Sequence, residues 1–170
     1  MNPLIQLHED IEARVSQIRQ QHDTWPCAKG CDHCCRQLAR LPQLTATEWT
    51  ALRTGLEALP KSTRNEVLSR VAAFNRERQA NLRPVTCPLL DQTKGTCPVY
   101  LVRPVACRTY GFYVQRDGGL YCADIHGAVT RGEMDHVIWG NHEVIDRHLT
   151  TLGESRSLDE WFQRDFSGSN

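Results

Sequence analysis

Apolar residues return every third or fourth position at the start of the chain. Leu4, Leu7, Ile11, Val15 and Ile18 form one stripe, with Glu9, Asp10, Glu12, Arg14 and Arg19 mostly on the opposite face. That period predicts an amphipathic helix over residues 4–21, stopped at Trp25-Pro26 because a residue preceding proline is driven out of helical geometry. A second helix is predicted from the capping box Thr45-Ala-Thr-Glu48, followed by Trp49, Leu52, Leu56 and Leu59. After Pro60, Thr63-Arg-Asn-Glu66 reads as the cap of a third helix through Val67, Val71, Phe74 and Arg78, ended by Arg83-Pro84. The periodicity then lapses from Pro84 to Tyr121. Thr86-Cys87-Pro88-Leu89 is echoed by Thr96-Cys97-Pro98-Val99, with the turn-forming stretch Asp91–Gly95 between them. Asp117-Gly118-Gly119 predicts a hairpin turn between Thr109–Val114 and Leu120–Cys122. Thr130-Arg-Gly-Glu133 reads as the cap of a helix through Val137, Ile138, Val144, Ile145 and Leu149, weakened at Gly140. Ser157-Leu-Asp-Glu160 caps a last helix carrying Trp161 and Phe162, and Ser167–Asn170 is expected to be a disordered tail.

Composition narrows the possible partners. Twenty basic and twenty acidic residues cancel, which removes the basic footprint of a nucleic-acid binder. No stretch approaches the roughly 18 uncharged apolar residues of a membrane span. The opening Met-Asn-Pro-Leu-Ile-Gln-Leu-His-Glu-Asp turns acidic at once, unlike a secretory signal. A cytoplasmic location is therefore expected, with neither nucleic acid nor membrane as partner and a protein or redox partner instead. The 170 residues suffice for one domain burying about 70% of its unfolded surface.

The cysteines decide the chemistry. Cys27, Cys31, Cys34 and Cys35 fall within nine residues, and Cys87, Cys97 and Cys107 follow ten apart, with Cys122 beyond them. Such short spacings let thiolates turn inward on one centre, whereas they suit disulfide geometry poorly. Eight thiols without an export signal read as ligands or redox groups. The prolines after Cys87 and Cys97 bias each cysteine to extended backbone and remove a competing amide. Lys29, Arg36, Arg40, Arg103 and Arg108 lie close in sequence, placed to offset the negative charge of a thiolate centre; Arg103 and Arg108 are the expected supporting groups behind the ligands. His33, inside the first cluster, is a further ligand or donor candidate.

The order Cys31-x-x-Cys34-Cys35-Arg36, Cys87-Pro88-Leu89-Leu90-Asp91, then Cys97-Pro98-Val99-Tyr100 continuing through Arg103-Pro104 to Cys107-Arg108 resembles the cysteine-cluster family, also called CxxCxxCC or YkgJ-like, a zinc- or iron-chelating domain. The resemblance covers roughly residues 27–122 and implies metal binding without supplying a reaction. Cys27 and Cys31 are separated by three residues where the family pattern has two, and Gly30 can absorb the extra residue through a positive φ.

Both zinc and an iron–sulfur cluster accept thiolates. Adjacent side chains diverge, so Cys34 and Cys35 are not expected to share one tetrahedral zinc, and eight thiols exceed the four that structural zinc takes. An iron–sulfur cluster is preferred on these grounds, with zinc the alternative and all eight cysteines the candidate ligands. Cys27 and Cys122 are the two that could instead be buried free thiols. Cys27-x-x-x-Cys31-x-x-Cys34 also has the spacing of radical S-adenosylmethionine enzymes, but it follows a helix and no alternating strand–helix run succeeds it. His142-Glu143-Val-Ile-Asp146 lacks the second histidine of the helical zinc-protease motif, and His136, His142 and His148 do not share a helix face. The chain therefore reads as a mainly α helical domain over residues 1–170, with room for one short β-hairpin. Its irregular Cys/Pro-rich metal-binding lobe spans about 27–122, with helical flanks at 1–24 and 130–166.

Overall fold

The computed structural model describes residues 2–77 and 84–166. The expected contributions of Arg78 and Arg83 and the expected tail at 167–170 lie outside them. The first helix, α1 (Pro3–Arg19), starts where Asn2 Oδ1 accepts the Leu4 N–H at 2.9 Å, and it buries the anticipated stripe from Leu4 to Ile18. After a loop and the single turn α2 (His33–Arg36), the strand β1 (Gln43–Thr45) runs directly into α3 (Ala46–Glu57). The Thr45–Glu48 capping box is formed as expected.

Helix α4 (Lys61–Glu77) begins ahead of the expected cap. The Pro60 carbonyl accepts the Arg64 N–H at 2.9 Å, so Thr63 lies within the first turn. The chain then passes a 3₁₀ turn (Tyr100–Val102), α5 (Val105–Thr109), the hairpin β2 (Tyr113–Gln115) and β3 (Gly118–Gly119), and α6 (Ala123–Thr130). The hairpin is confirmed, although Arg116 and Asp117 make its turn, since Gln115 pairs with Gly118.

Of the helix expected from Thr130 to Leu149 only His142–Leu149 is helical, and Thr130 ends α6 rather than opening a helix. Glu133 N–H donates to Ala128 O and Gly132 N–H to Val129 O, both at 3.0 Å, with Gly132 at φ 75. This is a Schellman stop, and its left-handed residue overrides the Thr-x-x-Glu pattern. Gly140 belongs to β4 (Gly140–Asn141), parallel to β2. A Cβ there would come within 2.5 Å of the Tyr113 ring, so the strand needs glycine for close approach. Asn141 then caps α7 (His142–Leu149). Ile138, expected in the core, is 69% exposed. Strand β5 (Ser155–Ser157) pairs antiparallel with β1 and leads into α8 (Leu158–Phe166).

Two apolar clusters result. One gathers α1 with Val105, Phe112, Ile125 and Met134; the other gathers Leu44, Trp49, Leu52, Val67 and Val71 with Leu158, Trp161 and Phe162 of α8. Cys27 and Cys122 pack on the first cluster, Cys87 and Cys97 on the second. Cysteines thus pack on both clusters. The fold is mainly α, as expected. No helix among the described residues is long and apolar enough to cross a membrane.

Candidate metal centre

The two cysteine regions meet through the main chain. Leu38 and Val85 form an antiparallel bridge, and Cys87 N–H donates to Cys35 O at 2.7 Å. The chain between them folds away as β1, α3 and α4 and returns to this point. In the first region Gly30 adopts φ 93, the positive value anticipated for the extra residue, and α2 presents His33, Cys34 and Cys35 from a single turn. Arg36 braces that turn from Nε to Asp32 Oδ2 at 2.7 Å and from Nη2 to Gln92 O at 2.8 Å.

In the second region the sequence echo is one turn made twice. Leu90 N–H closes onto Cys87 O and Tyr100 N–H onto Cys97 O, both at 3.1 Å. Proline offers no amide in either turn, and the amides after it aim at sulfur: Leu89 and Leu90 N–H donate to the Cys87 thiol, Val99 N–H to that of Cys97. Donors of this kind favour the thiolate, so both residues are prepared for ligation by local backbone alone.

Cys34 is the hub of the set. It acts electrostatically on Cys27, Cys87 and Cys107. The neighbouring Cys35 thiol is the first cause pushing the Cys34 thiol upward, with burial second. Burial pushes Cys27 up to about 11 and Cys87 up to about 12, each helped by neighbouring thiols. Cys97 is raised by burial, and Cys107 is pushed well up by desolvation and then by Cys87 and Cys34, although the residue is exposed at the surface. Arg19 opposes the rise at Cys27, and Arg103 opposes it at Cys97 and Cys107.

All eight cysteines are free thiols. So many partly buried thiols resist ionising together, and a bound cation removes that cost by taking the place of the protons. The donor set fits a thiophilic metal centre, which would draw the sulfurs inward. Among the described residues, the three ligating atoms gathered within 4.8 Å are those of His33, Cys122 and Asp124 rather than three sulfurs.

The two arginines expected behind the ligands support the architecture first. Arg108 is 8% exposed and donates to Arg103 O, Leu101 O and Glu12 Oε1. Arg103 shares that Glu12 oxygen at 3.1 Å and lies over the Tyr100 ring. Four other residues had no signal strong enough to single them out. Arg70 holds Pro88 O at 3.1 Å and opposes the rise at Cys97. Buried Glu48 accepts from Val105 N–H at 2.8 Å, at the start of the helix that carries Cys107. Gly111, at φ 88, lets the backbone pass where a Cβ would stand 3.2 Å from Cys27 Sγ. Asp124 receives His33 Nδ1 at 3.0 Å, and only its place two residues after Cys122 could have hinted at it. His142 pairs with Asp146 and His136 with Gln21 O, each in its own surroundings.

The CxxCxxCC family, described as "Putative zinc- or iron-chelating domain", matches the chain over residues 26–141. No protein of curated function and no solved structure matches it.

Proposed function

The chain belongs to the CxxCxxCC family of zinc- or iron-chelating domains, and from that footing we propose that its cysteines hold an iron–sulfur cluster with a redox or cluster-handling role. The observation that carries this reading is the crowding of thiols near Cys34: it acts on Cys27, Cys87 and Cys107 and is itself acted on by Cys35, while Cys97 acts in turn on Cys87 and Cys107. That is more thiols than the four a structural zinc takes. The proposed ligands are Cys31, Cys34, Cys35, Cys87, Cys97 and Cys107, with Cys27 against their edge. Arg103 offsets their charge, and Arg108 holds the Arg103 backbone in place. A bound cluster would supply one-electron chemistry. The residues themselves supply preformed amide donors at Cys87 and Cys97 and a partly buried setting. A reducing, cytoplasmic setting and a protein redox partner follow as parts of the same proposal.

Zinc is the second reading, because thiolate donors serve it as well as iron. An enzyme of radical S-adenosylmethionine type finds less support. The described residues contain two sheets, of two and three strands, in place of a barrel. A groove of about 740 Å³ borders Cys87 with Arg40 and Arg70, away from His33, Arg103, Arg108 and Tyr110.

Anaerobic purification, iron, zinc and acid-labile sulfide analysis and an absorption spectrum test the proposal. Iron with sulfide and a reducible chromophore that Cys34→Ser abolishes is the expected result. Stoichiometric zinc without chromophore establishes the second reading, and a metal-free protein overturns both.

A further inference from the structure

His33 and Asp124 stand 91 residues apart in sequence, yet His33 Nδ1 meets Asp124 Oδ2 at 3.0 Å. Cys122 completes the group: one ligating atom from each of the three lies within 4.8 Å of the others. We propose that His33, Cys122 and Asp124 form a second metal site, of mixed nitrogen, sulfur and oxygen donors, separate from the thiolate centre.

Bond lengths support the assignment. A transition-metal ion takes imidazole nitrogen and carboxylate oxygen at about 2.0–2.2 Å and thiolate sulfur at about 2.3 Å, which sets ligand atoms roughly 3.5 Å apart in a tetrahedron. The His33–Asp124 pair must open by about 0.5 Å from 3.0 Å, and the wider spacings, all within 4.8 Å, must close by about 1.3 Å at most to reach that spacing. The two anchoring segments are defined locally: His33 opens the turn α2, and Cys122 is the residue immediately ahead of α6.

Three protein donors leave a fourth position for water or a substrate atom, the pattern of exchangeable and catalytic sites rather than of closed structural ones. Exposure agrees: the His33 and Asp124 side chains are 43% and 63% accessible, giving an ion a direct path in. A borderline donor set of this kind selects Zn²⁺ or Fe²⁺ over the hard cations. The bland alternative is a surface His–Asp pair beside a thiol, and such pairs contribute little. The site borders the thiolate region, since Cys122 acts on Cys27 and Cys34 follows His33 in α2. The inference does not depend on which ion the thiolates hold.

The test uses full-length protein purified anaerobically, washed with a mild chelator and then titrated with Co²⁺, whose spectrum reports thiolate and nitrogen ligation. Wild type is expected to take up one rapidly exchangeable equivalent beyond the ions that survive washing. His33→Gln and Asp124→Asn are each expected to weaken that equivalent at least 10–100-fold while leaving the wash-resistant metal, the circular dichroism and the melting profile unchanged. Wild type that binds no exchangeable equivalent, or variants that bind it undiminished, would overturn the proposal. A protein without an iron–sulfur chromophore that still shows the His33- and Asp124-dependent ion refutes the cluster reading and upholds this one.

Discussion

Glu48 is the residue whose removal should separate the two halves of the fold. Its side chain is 3% exposed and accepts three hydrogen bonds: from Thr45 N–H at 2.8 Å and Thr45 Oγ1 at 2.9 Å within the capping box, and from Val105 N–H at 2.8 Å. Val105 is fully buried and begins α5, which carries Cys107 and Arg108. One side chain therefore starts a helix in the second apolar cluster and anchors a helix packed on the first. Glu48→Ala leaves Thr45 Oγ1 capping the residue-48 N–H, but it strands two buried N–H donors, those of Thr45 and Val105, at roughly 1–3 kcal/mol each. Allowing for partial relaxation, a loss of about 3–5 kcal/mol is expected, a large share of the roughly 5–15 kcal/mol typical of a domain. Glu48→Gln keeps one accepting oxygen but turns an amide NH₂ toward the remaining donors, for a loss of about 1–3 kcal/mol. Urea unfolding of the metal-free, reduced protein measures both. Glu48→Gln should in addition retain less metal than wild type when folded, because the mounting of Cys107 is loosened. An Ala variant within about 1 kcal/mol of wild type, or a Gln variant as damaging as Ala, would refute the reasoning.

Other consequences are equally open to measurement. A Cβ at Gly55, in the last turn of α3, would lie 2.4 Å from Val102 Cγ2. Val102 is stiff about χ1, so Gly55→Ala should lower stability by about 1–2 kcal/mol despite a helix-propensity gain of up to about 1. Val102→Ala should restore it in the double variant, and a Gly55→Ala protein melting above wild type would count against the close approach. His8, whose Nε2 is buried without a hydrogen-bond partner among the described residues, is lowered to about 4, first by burial and then by Arg108 and Arg103, with Glu12 opposing. Its folded value lies below its unfolded one, so the unfolded chain takes up the proton first. Stability is then fully present above about pH 6.5 and is lost as pH falls towards 4. Relative to His8→Leu, the wild type should lose at most about 2–3 kcal/mol across that window; parallel urea curves for the two proteins at pH 7 and pH 4.5 would show the histidine to be uninvolved.

What was legible in the sequence is what is settled within a few residues. The α1 stripe, the Thr45–Glu48 box and the cap at Ser157 rest on contacts three or four positions apart, and each appeared where expected. The echoed Cys-Pro turns were legible for the same reason: proline sets the backbone locally, and the amides that reach sulfur lie two or three residues on. The Thr130–Glu133 stretch was misread because its letters permit both a start and a stop, and the left-handed Gly132 with the α6 segment behind it decides for the stop. The capping box at Glu48 was legible, but its free oxygen, which finds Val105 N–H 57 positions away, was not. The meeting of His33 with Asp124 and the gathering of distant thiols about Cys34 belong to the same class. Local hydrogen bonds are encoded by neighbours in the chain, whereas these contacts exist only because two separately formed apolar clusters carry the cysteine loops to one place.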